Sequence, residues 1–266
     1  MQFKGQVLDE ANVNWVSHEV GLPKNEQYNP SYVRLNPRCV VPTLVVNGKV
    51  TTDAENIINF VEKNFMNDPS KTSLHPSDPA ELKLVHKFVA LGESLFVGAL
   101  SHGKVPGVEH GGTPAGAKAH KTDIASTLVK HQEKIDMLKD LIEKYADDEY
   151  LKLCYEAKLQ IVDLTKDCMA SEENMQEIVN VTKKAFRDLA VQLSNGPFVK
   201  DGWLCSENFT SADLVWGIVM FRLQKLRIGN ELLWKDIEIV EAYGKKLFTR
   251  ESFKTGVIEW LKKLKK

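Results

Sequence analysis

The residues with most scope for chemistry lie between Asn36 and Glu62, in the run N-P-R-C-V-V-P-T-L-V-V-N-G-K-V-T-T-D-A-E-N-I-I-N-F-V-E. Pro42 stands where a strand should begin. Proline has no backbone N–H to give to a ladder, so in sheets it is confined to edges, strand starts and bulges. Two readings of the Val41–Pro42 bond are open. One is an ordinary trans proline at a sheet edge. The other is a cis proline that turns the Val41 backbone outward, leaving its N–H and C=O to pair with an extended, peptide-like ligand. X–Pro bonds are cis in only about 5% of cases, so the surrounding pattern has to decide. Asp53 adds a carboxylate in the first turn of the helix that follows, where negative charge complements the helix dipole.

The elements that must position these residues can be read from periodicity. Thr43-Leu44-Val45-Val46 reads as a strand, Asn47-Gly48 is a strong two-residue hairpin signal, and Val50-Thr51-Thr52 pairs back. A helix from about Asp53 carries Ile57, Ile58 and Val61 as its buried stripe. Upstream, residues 1–12 read as helix and Trp15–Val20 alternates like a strand. Residues 67–79 hold three prolines and no apolar period, which marks a linker.

Beyond the linker the pattern is helical. Helices are expected over Glu81–Leu100, His120–Tyr145, 148–166, 171–194, Thr210–Leu226 and Thr255–Lys266. Ser101–Ala119, with five glycines and two prolines, is a long irregular loop between the first two of them. The domain reading is therefore residues 1–66, a linker over 67–79, and an all-helical domain over 80–266 with the loop 101–119 inserted. Trp203 and Trp216 are expected in the core. The last segment, 255–266, has two readings: a solvated helix packing Val257, Trp260 and Leu264 inward, or a weak peripheral contact with an anionic membrane.

Composition narrows the classes. Hydrophobic residues make up 43%, enough for a core, and the formal net charge of −1 supplies no field that would draw in nucleic acid. No apolar run has the length of a membrane span, and the first residues have no apolar signal region. The expected location is cytoplasmic. The four cysteines (Cys39, Cys154, Cys168 and Cys205) form no C-x-x-C pair and are expected as free thiols. His102, His110 and His120 are spaced eight and ten apart, which fits no compact zinc motif, so no metal site is expected.

The run L-N-P-R-C-V-V-P-T-L-V-V-N-G followed by T-D-A-E-N-I-I-N-F-V-E resembles the second half of the thioredoxin-like domain of the glutathione transferase superfamily. A second anchor, W-L-C-S-E-N-F-T-S-A-D-L over residues 203–214, is similar to that family's F-[ST]-x-A-D helix start. Physically it is a capping box, with Thr210 capping the helix and Asp213 reaching back. Either signal is weak alone; some 170 residues apart in one chain they are strong together. Within the superfamily, W-L-C-x-E-x-F-T-x-A-D and the inserted helices resemble the ganglioside-induced differentiation-associated protein 1 and tetrachlorohydroquinone dehalogenase types.

The resemblance implies a fold of two parts, a thioredoxin-like α/β domain and an all-α helical bundle, and a homodimer. It implies glutathione as co-substrate or ligand with a small electrophile as partner. Carried over residue by residue, Val41 pairs with the cysteinyl part of glutathione, Pro42 is cis, and Asp53 with Ala54 receives the γ-glutamyl amine. Association with the outer surface of mitochondria is implied by resemblance only.

Two departures qualify it. Ala54 replaces the family's hydroxyl donor. The first strand, with the Tyr, Ser or Cys that activates the thiol, has no counterpart before Gln2. Cys39 is open to two readings, a partner in a mixed disulfide or a small loop residue. Three functional readings follow: an enzyme that conjugates or reduces electrophiles, a non-catalytic member with an interaction or regulatory role, and an active enzyme whose start lies upstream of Met1.

Overall fold

The computed structural model describes residues 16–65, 73–108 and 124–259. The expected helix over residues 1–12, most of the 101–119 loop, residues 67–72 of the linker and Trp260 onward lie outside them.

Two 3-10 turns, Leu22–Lys24 and Glu26–Tyr28, lead into α1 (Pro30–Val33). Pro30 sits at the start of α1, where its missing N–H has no helical partner to lose. The strand expected over 15–20 does not form: residues 16–20 are irregular. Among the described residues the sheet has two strands, β1 (Thr43–Val46) and β2 (Lys49–Thr52), bonded to each other. Alternation without a neighbouring strand leaves the backbone groups to water, so the period at 15–20 stabilises nothing.

The hairpin between β1 and β2 forms as its turn residues dictate. Asn47 and Gly48 both take positive φ, 50° and 77°, as a two-residue turn matched to strand twist requires. The antiparallel register pairs Thr43 with Thr52 and Val46 with Lys49. Helix α2 (Ala54–Phe65) follows and buries Ile57, Ile58 and Val61.

The helical part begins with α3 (Pro79–Ser94), capped by Asp78, whose Oδ1 accepts the N–H groups of Ala80 and Glu81 at 2.9 Å each. The single helix expected over Glu81–Leu100 is broken at Leu95, which is extended (φ −70°, ψ 128°), and α4 (Val97–His102) starts anew. Then come α5 (Ile124–Lys144), α6 (Glu149–Ala170), α7 (Glu172–Asn195) and α8 (Ser211–Lys225). A wide π-type turn, Gly229–Leu233, precedes α9 (Glu238–Thr249). A short α-helical turn over Glu251–Phe253 runs into a π-helix over Lys254–Glu259, so the helix expected from Thr255 starts a few residues earlier and is wound more widely.

The last turn of α3 packs closely against α8. Gly92 lies in its last turn against α8, and a Cβ there would approach Val215 Cγ1 to 2.7 Å. Glycine permits that approach and weakens the end of its own helix.

The chain packs as two compact units that do not follow chain order. Among the described residues, the first comprises 16–65, 131–164 and 255–259, and the second 73–108, 124–130 and 165–254. In the first unit, Tyr28, Val33 and Cys39 share a core with Ile135, Leu138, Leu151, Tyr155 and Val162. In the second, Phe88, Phe186, Trp216 and Tyr243 are completely buried or nearly so, and Trp216 Nε1–H donates to the Phe88 carbonyl at 3.0 Å. Trp203 is only half-buried, edge-on to Phe209 at 5.0 Å between ring centres. Leu74, in the segment read as linker, is buried, and its carbonyl accepts the N–H of Ser211 at 3.0 Å.

Candidate functional site

The loop between α1 and β1 is shaped by polar side chains. Asn36 is completely buried. Its Nδ2 donates to Val40 O at 2.7 Å and to Thr43 Oγ1 at 3.1 Å, and its Oδ1 accepts the Arg38 N–H at 3.2 Å. The last is the Asx-type turn that asparagine favours. Tyr32 approaches the same two oxygens: its O–H donates to Val40 O at 2.7 Å, and its oxygen is 3.0 Å from Thr43 Oγ1. Asn36 also accepts the Cys39 N–H on its carbonyl at 2.9 Å. Cys39 has φ +52°, a left-handed conformation rare outside glycine.

That scaffold delivers Val41 and Pro42. Their peptide bond is cis. No hydrogen bond engages the Val41 backbone among the described residues. Thr43 pairs with Thr52, so Pro42 directly precedes, and Asp53 directly follows, the pair that closes the open end of the hairpin.

Asp53 also has positive φ, 66°, so it precedes α2 rather than lying in its first turn, and its carbonyl accepts the Ile57 N–H at 3.0 Å. Its carboxylate pairs with the guanidinium of Arg38, and both side chains face solvent in part.

Helix α6 supports the loop and the turn before α1. Tyr155 O–H donates to the Tyr28 carbonyl at 2.8 Å in a fully buried contact, and burial pushes its phenol up to about 12. Arg34 pairs with Asp148 just before the helix. The N–H of Leu151 donates to Asp148 Oδ1 at 3.1 Å, and this bond leads in holding the Asp148 carboxyl below its usual range, with Arg34 adding to it. Lys158 Nζ reaches the Arg38 carbonyl at 3.4 Å.

Cys39 is 2% exposed, and burial pushes its thiol up to about 11. A thiol so placed is neither ionised at neutral pH nor open to attack. The geometry favours the small loop residue over the mixed-disulfide reading.

The second anchor forms a closed network. Thr210 N–H and Oγ1–H donate to Asp213 Oδ2 at 2.8 Å each, while Leu204 N–H and Tyr243 O–H donate to Oδ1 at 3.0 and 2.7 Å. Asp213 is completely buried, and burial pushes its carboxyl up against the pull of those four donors. The capping box is completed by Thr210 accepting from the backbone of Asp213. It ties α8 to the loop before it and to α9, a structural task.

Tyr32, Asn36, Arg38 and Lys158 were not assigned roles from the sequence. Asn36-Pro37 is a turn signal that could have drawn attention to Asn36. Nothing in the local pattern connects Lys158 to Arg38.

A thioredoxin-derived hairpin and helix joined to a helical bundle, with a free backbone edge before a cis proline, is the layout of a glutathione transferase. Residues 7–64 match the glutathione S-transferase N-terminal domain family, and over most of its length the chain is similar to proteins of glutathione transferase fold.

Three curated relatives are similar over most of the chain. The 2,5-dichlorohydroquinone reductive dechlorinase of Sphingobium indicum is 28% identical, over 95% of this chain and 78% of its own. The tetrachloro-p-hydroquinone reductive dehalogenase of Sphingobium chlorophenolicum is 26% identical, over 94% and 88%. The mouse ganglioside-induced differentiation-associated protein 1-like 1 is 22% identical, over 86% and 62%.

Solved structures share the fold at lower identity. The β-etherase LigF of Sphingobium sp. strain SYK-6 superposes with a TM-score of 0.60 at 19% identity, over 96% of this chain and 92% of its own. The glutathione transferase URE2P8 of Phanerochaete chrysosporium, solved with oxidised glutathione, has a TM-score of 0.59 at 16% identity, over 99% and 90%. No helix among the described residues is long and apolar enough to cross a membrane.

Proposed function

We propose that the chain binds glutathione along the Val41 backbone and uses it to conjugate or reduce a small electrophile. One observation carries this reading: the Val41 N–H and C=O make no hydrogen bond among the described residues, Asn36 and Tyr32 fix the Val40 carbonyl beside them, and Asp53 follows the strand residue that pairs with Thr43. An extended thiol tripeptide matches both, with its cysteinyl amide groups on Val41 and its γ-glutamyl ammonium on Asp53. Arg38, now paired with Asp53, is displaced from it by that ammonium and becomes available to an anionic group of the ligand. Two relatives are named for reductive removal of halogen from chlorinated hydroquinones, which makes a halogenated aromatic the first electrophile to try. A homodimer in the cytoplasm belongs to the same reading.

A second reading, binding without turnover, is favoured by a specific feature. Thiol activation needs a donor aimed at the sulfur, since a free thiol ionises only near pH 8.5. Among the described residues the candidates near Val41 are occupied or lacking. Tyr32 O–H and Thr43 Oγ1 are engaged in the loop network, Cys39 is buried, and Ala54 has no hydroxyl.

Titration with reduced glutathione, followed by assays with 1-chloro-2,4-dinitrobenzene and a chlorinated hydroquinone, separates the two. Binding with turnover supports the enzyme. Binding without turnover supports the second reading. No binding at millimolar glutathione removes the site at Val41 and Asp53.

A further inference from the structure

Helix α6 carries two apolar faces. One, with Leu151, Cys154, Tyr155 and Val162, is buried in the core of the first unit. The other faces solvent. Tyr150, Leu153, Ile161 and Leu164 are 44–60% exposed, and Ala157, also exposed, lies at the middle of their run. At about 100° per residue these five fall within about 80° of the helix circumference, and they extend about 21 Å along it. Apolar residues exposed singly need no explanation, but a continuous stripe marks an interaction surface. One flank of the stripe turns into the core at Cys154. Along the other flank runs an acidic row, Glu149, Glu156 and Asp163, at every seventh residue. Among the described residues none of these carboxylates makes a hydrogen bond or an ion pair, not even Glu156 with Lys152 one turn away. Arg34, which lies over the Tyr150 ring, is already paired with Asp148.

We propose that this face of α6 docks a basic amphipathic helix of another protein, with its apolar side on the stripe and its Lys or Arg side chains along the acidic row. Helix-on-helix recognition uses anchors at three- and four-residue spacing, and the stripe runs 150, 153, 157, 161, 164. Ala157 at its centre lets a second helix backbone come close. Charge selects among the occupants. The spacing is palindromic about Ala157, so a second copy would fit the stripe antiparallel across a two-fold axis. That pairing sets each acidic row against its own copy, where like charges repel. An anionic bilayer is repelled in the same way, since helices that lie on such membranes carry Lys and Arg beside their apolar face. A cationic helix gains from both the stripe and the row. The surface belongs to α6 alone and stands apart from the glutathione reading.

The test uses the full chain and two fluorescein-labelled peptides of about 18 residues, long enough to form a helix. One has Leu and Lys in amphipathic helical order, and the other has Glu in place of every Lys. Fluorescence anisotropy reads binding at about 0.15 M salt. The variants are Leu153→Gln/Ile161→Gln, which breaks the stripe, and Glu156→Lys/Asp163→Lys, which reverses the row, with urea midpoints checking that each is folded. The wild-type chain should bind the Lys peptide about tenfold more tightly than the Glu peptide. The stripe variant should lose about tenfold for the Lys peptide, and the charge-reversed variant should prefer the Glu peptide. A wild-type chain that binds neither peptide overturns the proposal. So does a stripe variant that binds the Lys peptide as wild type does, or a charge-reversed chain that still prefers it. Light scattering and sedimentation with phosphatidylserine vesicles read the other occupants. A dimer or a vesicle-bound chain that Leu153→Gln/Ile161→Gln abolishes assigns the face to a second copy or to a membrane, and overturns the proposal too.

Discussion

Replacing Asn36 tests the scaffold under Val41 most directly. Asn36→Ala removes three side-chain hydrogen bonds: those to Val40 O and Thr43 Oγ1, and that from the Arg38 N–H. Tyr32 still contacts both oxygens, at 2.7 and 3.0 Å, so neither is orphaned. At about 0.5–1.5 kcal/mol of net stability per bond, the loss is about 3 kcal/mol. For a chain of this size that is about 6–12 °C in Tm.

Asn36→Asp preserves the shape but sets an oxygen where Nδ2 faced the Val40 carbonyl at 2.7 Å. In a completely buried position an unpaired carboxylate is worse than a vacancy. At pH 7 the order of stability is therefore wild type, then Asn36→Ala, then Asn36→Asp. The introduced carboxyl has a native pKa above its unfolded value, so the native state takes up the proton. The protonated acid donates again to Val40 O, and the deficit of Asn36→Asp shrinks as pH falls from 7 through that pKa. Urea midpoints at pH 7 and pH 5 read the order, and glutathione titration reads the site, which should weaken in both variants. If Asn36→Asp equals or exceeds Asn36→Ala in stability at pH 7, the assigned donor role of Asn36 is refuted.

Two further outcomes are expected. Asp213→Asn should cost about 3 kcal/mol in urea unfolding, because either orientation of the amide turns its NH2 toward a backbone N–H, that of Leu204 or Thr210. A cost under about 1 kcal/mol would show that the network is dispensable. Cys39 should resist iodoacetamide in the native chain at pH 8 and react once urea unfolds it. Its thiol, pushed from 9.0 to about 11 by burial, contributes stability that is complete below pH 9 and lost as pH rises from 9 to 11; Cys39→Ser should flatten that decline.

Local chemistry dictated the hairpin and the caps. Asn47-Gly48 makes its turn because both positions need positive φ, and Thr210 and Asp213 form their box because it spans a single helical turn. The strand over 15–20 was misread because alternation is a promise of pairing that only a neighbouring strand can keep. The break at Leu95 inside the helix expected over Glu81–Leu100 carries no proline to mark it in the local pattern. Helix α9, Glu238–Thr249, was not read from the pattern.

The sequence by itself carried the resemblance to the superfamily, the Val41–Pro42 junction and the carboxylate at Asp53, since each is written in a short run of residues. Tertiary structure alone decided that Cys39 is inert, that Arg38 guards Asp53, and that α6 carries Tyr155 and Lys158 to a loop more than a hundred residues earlier. Burial and long-range contact are properties of the packed chain. They fix which side chains are desolvated and which charges meet, and no local pattern encodes either.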